Sequence, residues 1–149
     1  MSLTYNTEGK TLIPTVQLKK IASAIALFVD VPAKAEVGVA FVSSDRSQDL
    51  NKRYSGHDYP TDVLSFDYKS TPENPTIGDI AICESIAKSQ AVEHGIFLEA
   101  ELALLLVHGT LHLLGHDHQD QAQIASLDQL QSDIMESLDY KYRNFKWSH

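Results

Sequence analysis

The chain is poor in cysteine, tryptophan and methionine, with one, one and two respectively, and it carries only 12 basic residues against 20 acidic ones. The lone Cys83 excludes an internal disulfide. It fits a reducing compartment, so a cytoplasmic location is expected. No apolar run, Leu102–Val107 included, comes near the roughly 20 residues a membrane span needs, so no membrane association is expected. The N-terminus shows no basic segment followed by an apolar core, and no signal peptide is expected.

The shortage of basic residues is uneven. Residues 1–60 carry seven Lys/Arg and six Asp/Glu, whereas residues 61–149 carry five and fourteen, for a net charge of −8 overall. That balance argues against a non-specific nucleic-acid binder built on a broad basic face. It leaves room for a local basic cleft, because charges are screened over about 8 Å at cellular salt.

What is present suits a single domain spanning residues 1–149, 43% hydrophobic and 21% charged. Leu3–Thr7 reads as a short strand, Val37–Val42 as a buried strand, and Val63–Tyr68 and Ile77–Cys83 as two more. Thr15–Phe28 repeats apolar residues at a helical period (Val16, Leu18, Ile21, Ala24, Ile25, Phe28) just after Pro14. Ser44 or Asp45 is placed to cap a helix through Arg53, and Glu84–Glu93 forms another that Gly95 can close. Leu98–Leu114 is apolar nearly all round and should be buried. Gln119–Leu138 is amphipathic, with Ile124, Leu127, Leu130, Ile134 and Leu138 on one stripe. The expected fold is α+β: a small mixed sheet of about four strands packed with about five helices, one a zincin-like metal helix.

Four of the seven histidines fall in one segment, HGTLHLLGHDH. His108 and His112 are four residues apart, so on a helix they stack on one face. Gly115 can take a left-handed conformation and end the helix, letting the chain return His118 to the same point. Three neutral imidazoles leave a fourth position open on one zinc ion, the pattern of a catalytic rather than a closed structural site. Catalysis would then run through the metal-bound water. The frame matches that of the metzincins, H-E-x-x-H-x-x-G-x-x-H, except that their general-base glutamate is Gly109 here. A peptidase mechanism loses its base. His116 reads either as a proton carrier or as a solvent-facing residue. Asp117 reads either as a partner of a ligand imidazole or as a helix cap.

HGTLHLLGHDH resembles the HGxLHLxGYDH signature of the YbeY family, bacterial endoribonucleases and ribosomal RNA maturation factors. Leu50-Asn51 with Asp58-Tyr59-Pro60-Thr61-Asp62-Val63-Leu64-Ser65-Phe66 is similar to that family's LNxxYRxxDxPTDVLSF block, and Gly78-Asp79-Ile80 to its GDI strand. The resemblance covers nearly the whole chain. It implies a zinc-dependent, single-strand-directed endoribonuclease acting in ribosomal RNA maturation, at the small-subunit 3′ end, and in ribosome quality control. It implies His108, His112 and His118 as metal ligands and precursor ribosomal RNA as substrate. Small-subunit ribosomal proteins or assembly factors are possible partners.

Two positions depart from the family pattern: its arginine in YRxxD is Ser55 here, and its tyrosine in GYDH is His116. Lys52, Arg53 and His57 could form a phosphate-binding edge, or merely a solvated helix end. Asp62 reads equally as a loop-stabilising carboxylate or a group near the cleft, and Asp79 as a structural hydrogen-bonding residue. Two other readings stay open: a ribosome-assembly binding module with a mainly structural metal, and a metal-dependent hydrolase of another ester or amide.

Overall fold

The computed structural model describes residues 2–68, 75–116 and 120–140. Among them four strands and five helices follow one another: β1 (Leu3–Thr7), α1 (Thr15–Phe28), β2 (Ala35–Val42), α2 (Ser44–Ser55), β3 (Val63–Asp67), β4 (Thr76–Cys83), α3 (Glu84–His94), α4 (Leu98–Leu113) and α5 (Gln121–Ser137). This is the expected α+β domain. The strand order is β1-β2-β4-β3. β1, β2 and β4 run parallel, and β3 closes the sheet antiparallel to β4. Parallel neighbours need a long crossover, and α1 supplies the one between β1 and β2.

Side chains alternate across a strand, and β4 shows which helix lies on which face. Ile80 points at α4, where it sits against Gly109. Asp79 and Ala81 point the other way, into a groove bounded by Arg46, Leu50 and Tyr54 of α2. The sheet therefore has α4 on one face and α2 on the other.

α4 is the centre of the core. Every residue from Ala100 to Leu111 is buried, and the helix packs against β3, β4, α1, α3 and α5. A helix that is apolar all round has no solvent face to offer, so it can only be stable when surrounded. It ends as its sequence suggests. Gly115 has φ 95°, its N–H reaches the His112 carbonyl at 3.0 Å, and the His116 N–H reaches that of Leu111 at 2.9 Å. Such contacts satisfy carbonyls that a helix end otherwise leaves orphaned.

Boundaries differ from expectation in small ways. β2 begins at Ala35 rather than Val37, because the added residues pair with β1. Ser43, not Ser44 or Asp45, caps α2, its Oγ accepting the Arg46 N–H at 3.1 Å. β3 stops at Asp67, one residue short of Tyr68. α5 starts at Gln121, capped by Asp120, whose Oδ1 accepts the Gln123 N–H at 2.8 Å; the expected start at Gln119 lies outside the described residues. Val16 and Phe28, expected on the apolar stripe of α1, are exposed at its two ends. No single described helix is long and apolar enough to cross a membrane.

Candidate metal centre on the buried helix

His108 and His112 do stand on one face of α4. Their Nε2 atoms approach to 3.0 Å, and the rings meet edge to face with centroids 4.5 Å apart. His108 is buried and His112 half-buried. The other nitrogen of His108, Nδ1, lies 2.7 Å from Gln131 Oε1 on α5.

This pair suits a metal ion. Two ligands each about 2.0–2.1 Å from one zinc ion stand no more than about 4 Å apart, and the two Nε2 atoms meet that condition. A carbonyl oxygen on the far nitrogen of a ligating imidazole is the usual arrangement around protein-bound zinc. Among the described residues no group of three or more His, Cys, Asp or Glu side chains is placed to hold a metal. The third expected ligand, His118, and Asp117 beside it lie outside those residues. His116 is half-buried at the end of α4.

The neighbouring positions of α4 hold the helix in place. Gly109, directly after the first histidine, faces the sheet. A Cβ there would stand 3.0 Å from Ser65 Oγ and 3.1 Å from Ile80 Cδ1, and Ser65 donates to the Gly109 carbonyl at 3.2 Å. A side chain at the position that carries a general base in metzincins would thus press on Ser65 and Ile80 of the sheet. On the next residue, Thr110 Oγ1 donates to the Leu106 carbonyl at 2.7 Å and lies 2.7 Å from the Tyr5 hydroxyl. That contact ties β1 to the turn bearing both histidines. Burial raises the Tyr5 phenol above its ordinary range.

The expected phosphate-binding residues sit on a different element. Lys52 and Arg53 belong to the last turn of α2, on the other face of the sheet from α4. Lys52 Nζ is 3.8 Å from Asp58 Oδ2, and Arg53 Nε is 3.4 Å from Asp49 Oδ1. His57 follows the helix, with its ring centroid 5.5 Å from that of Tyr59. Ser55 is exposed. The loop between α2 and β3 is pinned to the helix: Ser47 Oγ donates to the Thr61 carbonyl at 2.7 Å, and Asn51 Nδ2 to that of Tyr59 at 2.8 Å.

Asp62 has a loop-stabilising role. Its Oδ1 accepts the Val63 N–H at 2.7 Å and its Oδ2 accepts Gln90 Nε2 at 3.2 Å. Asp79 is, as expected, a hydrogen-bonding residue: its Oδ2 accepts the Tyr68 hydroxyl.

Two buried polar residues escaped the sequence reading. Gln131 lies within the apolar arc of α5, four residues after Leu127 and three before Ile134. A polar residue inside such a stripe was the available signal. Glu101 is fully buried near the start of α4, with Oε2 3.0 Å from His94 Nδ1. Burial raises its carboxyl above the ordinary range, and the His94 ring opposes that rise.

The family model described as "Endoribonuclease YbeY" matches residues 5–139. A curated protein of Paraburkholderia phymatum named "Endoribonuclease YbeY" is 37% identical over 133 residues, covering 89% of this chain and 84% of that one. Among solved structures, the solution structure of TM1509 from Thermotoga maritima superposes with a TM-score of 0.56 at 24% identity, covering 92% of this chain and 91% of that one. At that identity the structural match speaks for the fold alone.

Proposed function

The chain belongs to the YbeY family of endoribonucleases, and from that premise we propose that it is a zinc-dependent endoribonuclease cutting single-stranded ribosomal RNA precursor. Its task on this reading is maturation of the small-subunit 3′ end and ribosome quality control, in the cytoplasm. The observation that carries the reading is the convergence of His108 Nε2 and His112 Nε2 to 3.0 Å on a buried helix.

His108 and His112 would hold one zinc ion, with His118 as the third ligand that the histidine spacing implies. Zinc supplies a Lewis acid for a phosphoryl oxygen and brings the pKa of bound water towards about 7. The chain's own contribution is rigidity. Ligands on a helix packed on all sides cannot drift, and Tyr5, Ser65 and Gln131 each anchor the turn that bears them. Gly109 leaves no side chain where a metzincin holds its base, which favours a phosphodiester over a peptide substrate. RNA brings its own 2′-hydroxyl as a possible nucleophile. His116, at the end of the same helix, is the proposed proton carrier.

RNA delivery by a partner fits the charge distribution. Lys52 and Arg53 already face Asp58 and Asp49, so the α2 end offers phosphate little uncompensated charge. A small-subunit ribosomal protein or assembly factor is the proposed source of the missing attraction.

Metal content and cleavage of a ribosomal RNA precursor, measured for wild type and His112→Ala side by side, test the proposal. Both should be lost together in the variant. Cleavage that persists in metal-free protein overturns it.

A further inference from the structure

Gln131 is 1% exposed. Its Oε1 lies 2.7 Å from His108 Nδ1, while its Nε2 is buried with no hydrogen-bond partner among the described residues. A buried amide with one unsatisfied end is a cost that an apolar side chain at this place would avoid. We propose that Gln131 is a positioning residue for the metal: it holds His108 in the tautomer that presents Nε2 to the ion, and as an amide it can also serve the opposite tautomer. The inference rests on the metal-site reading above.

The argument follows from proton counting. A neutral imidazole carries one N–H, and which nitrogen bears it is set by the partner of the other. The two Nε2 atoms stand 3.0 Å apart. Without a metal, a hydrogen bond between them requires one to be N–H and the other a lone pair. If His108 supplies that N–H, its Nδ1 is an acceptor and needs a donor from Gln131. Rotation of the amide by half a turn provides one, because its oxygen and nitrogen occupy nearly the same volume.

With a metal, both Nε2 atoms must offer lone pairs. His108 then carries its proton on Nδ1 and donates it to Gln131 Oε1, the orientation seen here. A single side chain therefore satisfies both arrangements. A carboxylate at 131 would accept only the Nδ1 proton, committing His108 to the metal-ready tautomer and making it a more basic ligand. An apolar residue would enforce neither.

The test is zinc affinity, measured by competition with a chromophoric chelator on metal-stripped protein. Four proteins are compared: wild type, Gln131→Glu, Gln131→Leu and His112→Ala. Gln131→Leu should bind zinc on the order of 10–100-fold more weakly than wild type. Gln131→Glu should bind at least as tightly as wild type, and it keeps a polar partner for His108 if the leucine variant folds poorly. Nitrogen-15 NMR of the imidazoles adds a readout that a packing role would not move. In zinc-bound wild type the His108 proton should sit on Nδ1, and in Gln131→Glu it should sit there with and without zinc.

Wild type binding tighter than His112→Ala, but no tighter than Gln131→Leu, would overturn the role of Gln131 alone. So would a His108 proton on Nε2 in metal-free Gln131→Glu. Wild type binding no tighter than His112→Ala would overturn the metal site itself, and this inference with it.

Discussion

Gly109 of α4 lies so close to Ile80 of β4 that a Cβ on it would stand 3.1 Å from Ile80 Cδ1 and 3.2 Å from its Cγ2. Alanine is intrinsically better than glycine in a helix interior by about 1 kcal/mol. Overpacking a well-filled core costs about 1–3 kcal/mol. Here the second effect should win, because the branched Ile80 is itself fully buried and has little room to yield. Gly109→Ala should therefore destabilise the protein in urea. Gly109→Glu, which restores the metzincin pattern, should lose the fold and gain no peptidase activity. A stable Gly109→Glu protein would mean that α4 can lift from the sheet.

Thr110 separates two costs that are usually confounded. Its hydroxyl donates to Leu106 and so accepts from Tyr5. Tyr5→Phe removes one hydrogen bond yet leaves Thr110 satisfied, a loss of about 0.5–1.5 kcal/mol. Thr110→Val instead strands the Tyr5 hydroxyl against the core, costing about 1–3 kcal/mol. The double variant should be more stable than the two single losses added together. Equal losses in the two single variants, with simple additivity, would show that the Tyr5 hydroxyl reaches water on its own.

Glu101 should make stability depend on pH in an unusual direction. Burial raises its folded pKa above the unfolded value, and nearby Asp62 adds to the rise, while His94 pulls the other way. A carboxyl raised in the folded state contributes stability that is fully present below the unfolded pKa. That contribution is lost as pH rises through the folded one. Glu101→Gln has no such dependence. The variant should match wild type near pH 4 and gain on it as pH rises through the folded pKa of Glu101, read as the difference in urea midpoint. A wild type that gains on the variant over that range would show the His94 contact outweighing burial.

These residues also show which parts of the molecule were legible in advance. The histidine pair was, because four-residue spacing on a helix is a local fact. The end of α4 was too, since Gly115 takes the left-handed conformation that few other residues tolerate. Gln131 was not: its contact with His108 joins two helices across 23 residues of chain, and no local periodicity encodes that. Glu101 drew no notice, because an acid in a first helical turn is favoured by the helix dipole, and its burial against His94 of α3 comes from tertiary packing. The strand order β1-β2-β4-β3 was equally hidden, because it depends on how crossovers return to the sheet rather than on any strand's composition. The basic edge at Lys52 and Arg53 was visible as charge, but not the carboxylates that face it.

Tyr68 and Asp79, on the face of the sheet away from the histidines, offer a spectroscopic measure of that surface. The Tyr68 hydroxyl donates to Asp79 Oδ2, and this bond, helped by partial burial and the charge of Asp79, pushes the phenol up to about 12. The folded pKa exceeds the unfolded value of about 10, so the contact stabilises the fold below pH 10 and is lost as pH rises through 12. Asp79→Ala removes both the acceptor and the charge, and should return Tyr68 most of the way to 10 in a carbon-13 NMR titration. Gly38→Ala should do the same from the opposite strand. A Cβ on Gly38 would stand 2.2 Å from Asp79 Oδ1, so the carboxylate must swing away from the tyrosine. If Asp79→Ala lowers the Tyr68 pKa and Gly38→Ala does not, then Asp79 has another place to go that keeps the bond, and Gly38 serves only the pairing of β2 with β4.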